Sequence, residues 1–113
     1  MGEVYLASQV SLGRNVALKI LRSNLAEDEQ YLKRFRAEAT AIAPINHPNI
    51  VSVYSIGESE GVHYIAFEYV RGFNLRQRIE REGPLSEEEC IRIATQVARA
   101  LECAAEAGII HRD

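Results

Sequence analysis

The strongest constraint on this chain is a change of hydrophobic period part-way along it. Up to about Val70 the apolar residues alternate or fall in short runs, and beyond Gly72 they recur every three to four residues. A period of two marks a strand and a period near 3.6 marks a helix. The pattern therefore predicts strands, one helix, more strands, then helices: an α+β layout. Val4-Tyr5-Leu6-Ala7 and residues 15–21 read as strands, with Ser11-Leu12-Gly13-Arg14 as the turn between them. In the second run Val16, Leu18 and Ile20 share one face, while Ala17, Lys19 and Leu21 share the other. A lysine among five apolar neighbours is unusual for a strand.

A helix is predicted from about Glu27 to Ala43, with capping-box spacing at Asn24 and Glu27 and apolar residues at Leu32, Phe35, Ala39 and Ile42. At about 100° per residue, Glu38 lies roughly 40° from Ile42, on the edge of that stripe. Pro44 stops the helix, the segment from Asn46 to Asn49 is a turn with a turn histidine at His47, and residues 50–56 and 62–70 read as strands joined at Glu60-Gly61. His63 reads as a surface residue. Farther on, Asn74 caps a short helix through Glu82 that ends at Gly83-Pro84. Ser86 and Glu89 form a capping box for a longer helix with Cys90, Ala94, Val97, Leu101 and Ala104 on one face, stopped by Gly108. Ile109-Ile110 reads as a short buried strand leading to His111-Arg112-Asp113.

Composition removes several classes of function. The chain has 113 residues with a net charge of −3; residues 1–50 carry six basic and five acidic groups, residues 51–113 seven and eleven. Neither half is a basic surface, so a nucleic-acid partner is not expected. Cys90 and Cys103 fall thirteen residues apart in one helical pattern, which places them about 20 Å apart, too far for a disulfide. Reduced thiols fit an intracellular, cytoplasmic protein. The longest uncharged stretch, from Ala39 to Gly57, is broken by Pro44 and Pro48 and makes no membrane segment.

Four signals then occur in one order: Gly2-Glu3-Val4, Val16-Ala17-Leu18-Lys19, Glu38 in the following helix, and His111-Arg112-Asp113. Each alone is weak; the ordered set resembles a protein kinase of the bacterial serine/threonine type over the whole chain. The resemblance implies one partial kinase domain over residues 1–113. Its small lobe and hinge start occupy 1–70, and the hinge end and first large-lobe helices occupy 71–113. Met1-Gly2-Glu3-Val4-Tyr5 is similar to the tail of the family's glycine-rich loop, and the family's metal ligands follow Asp113, so the magnesium ligands are expected beyond it.

What the resemblance implies at each position has a physical basis. ATP carries about four negative charges, and phosphoryl transfer needs them positioned rather than attacked covalently. Gly2, as the loop's last glycine, lets backbone N–H groups approach the nucleotide. Val4 and Ala17 are small enough to cover a purine ring, and Lys19, on Ala17's strand face, reaches the phosphates and is fixed by Glu38. Phe67 is the gatekeeper behind the ring, Glu68 and Val70 offer hinge carbonyl and N–H groups to adenine, and Asn74 faces the ribose or only caps its helix. Asp113 accepts the substrate hydroxyl's proton, and Arg112 holds a phosphorylated activation segment. The catalytic set is thus Lys19, Glu38 and Asp113, with ATP and a protein bearing serine or threonine as partners.

Two further readings stand beside this one. The chain could be a pseudokinase-like or truncated module that binds a nucleotide or partner without chemistry. A sugar or aminoglycoside phosphotransferase is a weaker third, disfavoured by the His111-Arg112-Asp113 order. The resemblance also leads to the expectation that these 113 residues bind adenine but do not transfer phosphate alone.

Overall fold

The computed structural model describes residues 2–22 and 28–111. The expected capping box at Asn24 and Glu27 lies outside the described residues, as do Met1, Arg112 and Asp113. The chain divides into two compact units, residues 1–69 and 70–113.

The first unit is an antiparallel sheet with one helix. Strands β1 (Gly2–Gln9), β2 (Arg14–Leu21), β3 (Val53–Ser59) and β4 (Val62–Glu68) run in the order β1-β2-β4-β3. Helix α1 (Glu29–Ile42) lies between β2 and β3 in the chain. Its N-cap is Asp28, whose carboxylate accepts from the Gln30 N–H at 2.9 Å. The helix closes where the Ala43 N–H reaches the Ala39 carbonyl at 2.8 Å, and Pro44 cannot supply the next donor. Leu21, Phe35, Ala39 and Ile65 form the buried core, flanked by Leu32, Val53 and Phe67. The α1 stripe and one sheet face therefore close on each other, as alternation in β2 and β4 requires.

The strand boundaries differ from the sequence reading: β1 is two residues longer at each end, β2 begins one residue earlier, and β3 and β4 are displaced or shortened. β3 begins three residues later than expected and runs on through Gly57, Glu58 and Ser59. The cause is the hairpin: Glu60 and Gly61 both have positive φ, 50° and 79°, the geometry of a two-residue type I′ turn. Such a turn fixes the pairing register from its own end, so polar residues beside it are paired whatever their hydropathy. β4 stops at Glu68, whose N–H donates to the Ser52 carbonyl at 2.9 Å while its carboxylate accepts from the Ser52 N–H at 3.1 Å.

The second unit contains α2 (Leu75–Glu82) and α3 (Glu87–Glu106). Both start with complete capping boxes, Asn74 with Gln77 and Ser86 with Glu89. Arg78 joins the two helices through Glu89 at 3.0 Å and pairs within α2 with Glu82 at 2.9 Å. No residue of either helix is buried, and Ile91, Val97 and Leu101 are at least half exposed.

The expected buried strand at Ile109-Ile110 is absent: no strand is assigned there, and Ile110 is exposed. Gly108, at φ +74°, donates to the Ala105 carbonyl, and Ile109 donates to the Ala104 carbonyl, both at 2.9 Å. These two bonds are a Schellman closure, so the Ile109 N–H is spent on ending α3 and not on a ladder.

Candidate active site

The sheet register assembles the candidate site in the first unit. Val4 pairs with Lys19, and Lys19 pairs with Ile65; Leu6 pairs with Ala17, and Ala17 pairs with Phe67. Residues directly opposite across a ladder point to the same face. One face of the sheet therefore carries the rows Val4-Lys19-Ile65 and Leu6-Ala17-Phe67. Burial falls off along each row. Ile65 is 1% exposed, whereas Val4 and Leu6 are 64% and 62% exposed. Helix α1 covers the β4 end of this face and leaves the β1 end open. An open apolar surface bordered by an ammonium group results.

Lys19 stands at that border. Its Nζ lies 3.9 Å from Glu38 Oε2 and 5.9 Å from the centre of the Phe35 ring. Its side chain is three-quarters covered, and that of Glu38 is about half exposed. A pair this exposed contributes about 0–1 kcal/mol to stability, while the lysine gives up hydration to sit among Ala17, Ile65 and Phe35. Stability is thus a poor reason for a lysine here. A strand lysine and a helix glutamate brought to ion-pair distance is the arrangement the sequence leads one to expect. Phe35 was not foreseen as part of it, although its place three residues before Glu38 sets it on the same side of the helix.

The remaining candidate residues fall as follows. Phe67 packs against the core cluster on the face it shares with Ala17, behind the open surface. Glu68 closes β4 through Ser52. In the second unit, Val70 is exposed, and Asn74 is a helix cap whose Oδ1 accepts from the Gln77 N–H at 2.9 Å. Gly2 opens β1 opposite Leu21. Asp113, the expected base, lies outside the described residues. His47 is a turn residue, with its Nδ1 accepting from the Asn49 N–H at 3.1 Å. His63 corrects the sequence reading: it is buried, at 8% exposure. It faces Glu58 across the β3–β4 ladder and Arg36 of α1, partners that only the tertiary fold supplies.

Among the described residues no group of three or more His, Cys, Asp or Glu side chains could hold a metal ion, and no helix is long and apolar enough to cross a membrane.

Comparison with known proteins gives a consistent result. The protein kinase domain family matches residues 1–113. The serine/threonine-protein kinase PrkC of Bacillus subtilis is 43% identical over 113 residues, which are all of this chain and 17% of PrkC. The serine/threonine-protein kinase pkn3 of Myxococcus xanthus is 48% identical over 114 residues, again the whole chain and 21% of the relative. Among solved structures, the Mycobacterium tuberculosis PknI kinase domain superposes with a TM-score of 0.82 at 37% identity, covering 100% of this chain and 46% of that one. The chain thus spans about a fifth of the curated relatives and just under half of the solved kinase domain. With the ordered motifs, the β1-β2-β4-β3 sheet and the Lys19–Glu38 pair, these matches establish that the chain belongs to the protein kinase domain family.

Proposed function

We propose that the open face of the first unit binds ATP, and that a protein carrying this chain transfers its γ-phosphoryl group to serine or threonine hydroxyls of other proteins. The observation that carries the reading is Lys19, held 3.9 Å from Glu38 beside an exposed apolar surface. Val4, Leu6 and Ala17 suit a flat purine ring, because the ring offers apolar area and asks for no polar partner on its faces. The ammonium of Lys19 suits the phosphates, and Glu38 holds it extended along the sheet face. Binding energy is thereby directed to the charged end of the nucleotide, where positioning matters for phosphoryl transfer.

By resemblance, Gly2, Glu68, Val70 and Asn74 complete the nucleotide contacts, Phe67 limits the depth of the purine site, and Asp113 takes the proton of the acceptor hydroxyl. Protein kinases use Mg²⁺ to neutralise charge developing on the phosphates. Two free cysteines, Cys90 and Cys103, agree with a reducing compartment such as the cytoplasm. The chain alone is proposed to bind ATP without transferring phosphate.

A radiolabelled ATP assay with saturation binding on the purified chain tests this, using Lys19→Met and Asp113→Ala as controls. The expected result is saturable nucleotide binding with no label on an added protein. Absence of ATP binding overturns the nucleotide reading. Label transfer that both substitutions abolish overturns the assignment of the chain as binding-only.

A further inference from the structure

Three contacts between a cation and an aromatic ring occur among the described residues. Arg14 lies 3.6 Å from the centre of the Tyr54 ring and Arg81 5.1 Å from that of Phe73, and both rings are exposed. Lys19 lies 5.9 Å from the centre of Phe35, which is buried. Of the three rings, only Phe35 belongs to the core. It is also fixed from two sides. Leu21, two residues along β2 from Lys19, and Ile65, opposite Lys19 on β4, are both members of its cluster. The ring is thus set between the two sheet neighbours of Lys19 on the face they share.

Phe35 and Glu38 stand three residues apart on one side of α1, so the helix offers the ammonium two partners of different kinds. Glu38 attracts it with a full negative charge from a half-exposed position. Phe35 attracts it with the negative face of its ring quadrupole and carries no charge. The difference matters when an anion arrives. A phosphate competes with Glu38 for the ammonium and is repelled by the carboxylate, since like charges at short range raise each other's energy. Toward an uncharged ring it has no such conflict. A lysine held by the carboxylate alone is either drawn from its place or neutralised in it; held also by a ring, it keeps both its place and its charge.

We infer that Phe35 is a positioning residue for Lys19: its ring holds the ammonium at the border of the open face without neutralising it, so that Lys19 meets an anionic ligand from a fixed place while Glu38 gives way. The consequence for ATP rests on the proposed nucleotide site; the hold on Lys19 does not.

Site-specific replacement of Phe35 in the 113-residue chain by mono-, di- and trifluorophenylalanine tests the hold. Fluorine withdraws electron density from the ring face at nearly constant shape, so the core stays packed and the melting temperature stays where it is. Phe35→Leu, which keeps an apolar body and loses the ring, ends the series. Carbon relaxation at Lys19 Cε, measured without nucleotide, shows the order of the side chain falling stepwise along the series, while amides of Leu18 and Ile65 do not change. On the same samples ATP affinity falls by about threefold at the trifluorinated ring, the loss of one contact of this kind, and adenosine affinity stays constant. Unchanged order of Lys19 along the series overturns the inference. So does ATP affinity that is independent of fluorination, or a loss of adenosine affinity equal to that of ATP. A chain that binds no ATP with or without fluorine counts against the nucleotide reading and leaves the Lys19 relaxation to decide the hold.

Discussion

The two units are stabilised by different means. Every buried residue among those described lies in the first, where Val16, Leu21, Phe35, Ala39, His63, Ile65 and Ala66 come from three separate elements. The second has two well-capped helices, an arginine shared by two glutamates, and no buried residue in either helix. The first is built by long-range contacts around a core, the second by short-range signals. A site that depends on a distance between two elements belongs in the first kind of structure. Glu38 reaches Lys19 because Phe35 and Ala39 on the same helix are packed against Leu21 and Ile65.

The contrast is broken most severely at its core. Phe35→Ala costs about 3–5 kcal/mol, a large share of the stability of a unit this small. Thermal melts followed by sheet amide signals lose the first unit's transition, while α2 and α3 keep their helical signal. Joint melting of both units contradicts the division.

Next in size is the cap of α3. Ser86→Ala removes an oxygen that accepts from the Glu89 N–H at 3.2 Å and costs about 1 kcal/mol. Carbon chemical shifts of the first turn move toward coil, and those of the first unit do not change. The same turn responds to acid. The Ser86 N–H holds the Glu89 carboxyl below the usual glutamate range, with further help from Arg78 and the Ser86 hydroxyl. A depressed carboxyl stabilises the fold above its unfolded value, about 4.3, and that contribution disappears as pH falls through the lower folded value. Helicity of α3 therefore drops in that acid interval, and Glu89→Gln flattens the response.

The smallest effect is at the hairpin. Glu60 holds φ at 50°, a conformation that costs an ordinary side chain on the order of 1 kcal/mol and asparagine less. Glu60→Asn raises the melting temperature of the first unit slightly and leaves the second unchanged.

This division also explains what could be read from the sequence. Asn74 as a cap and Ser86 with Glu89 as a capping box are local signals, and both helices start where they indicate. The face shared by Ala17 and Lys19 follows from alternation alone, and the place of Glu38 on the helix edge from its angular position. The distance between them required the register of β2 against β4, which no local pattern carries. The same holds for His63. Nothing beside it in the sequence announces Arg36, 27 residues away, and so it reads as a surface residue. Ile109 fails for the opposite reason: its hydropathy suggests a strand, but the backbone bond ending α3 has precedence.

The central claim is that the ammonium of Lys19, held by Glu38, grips the charged end of a nucleotide on an otherwise apolar sheet face. Calorimetric titration of the chain with ATP and with adenosine, for the unsubstituted chain and for Lys19→Met, tests it most directly. Loss of one charge-assisted contact to phosphate weakens ATP binding by about tenfold or more. The account predicts that the unsubstituted chain prefers ATP to adenosine, that Lys19→Met abolishes the preference, and that adenosine affinity is the same in both. Equal affinity of the unsubstituted chain for ATP and adenosine, or an ATP preference that survives Lys19→Met, would contradict it.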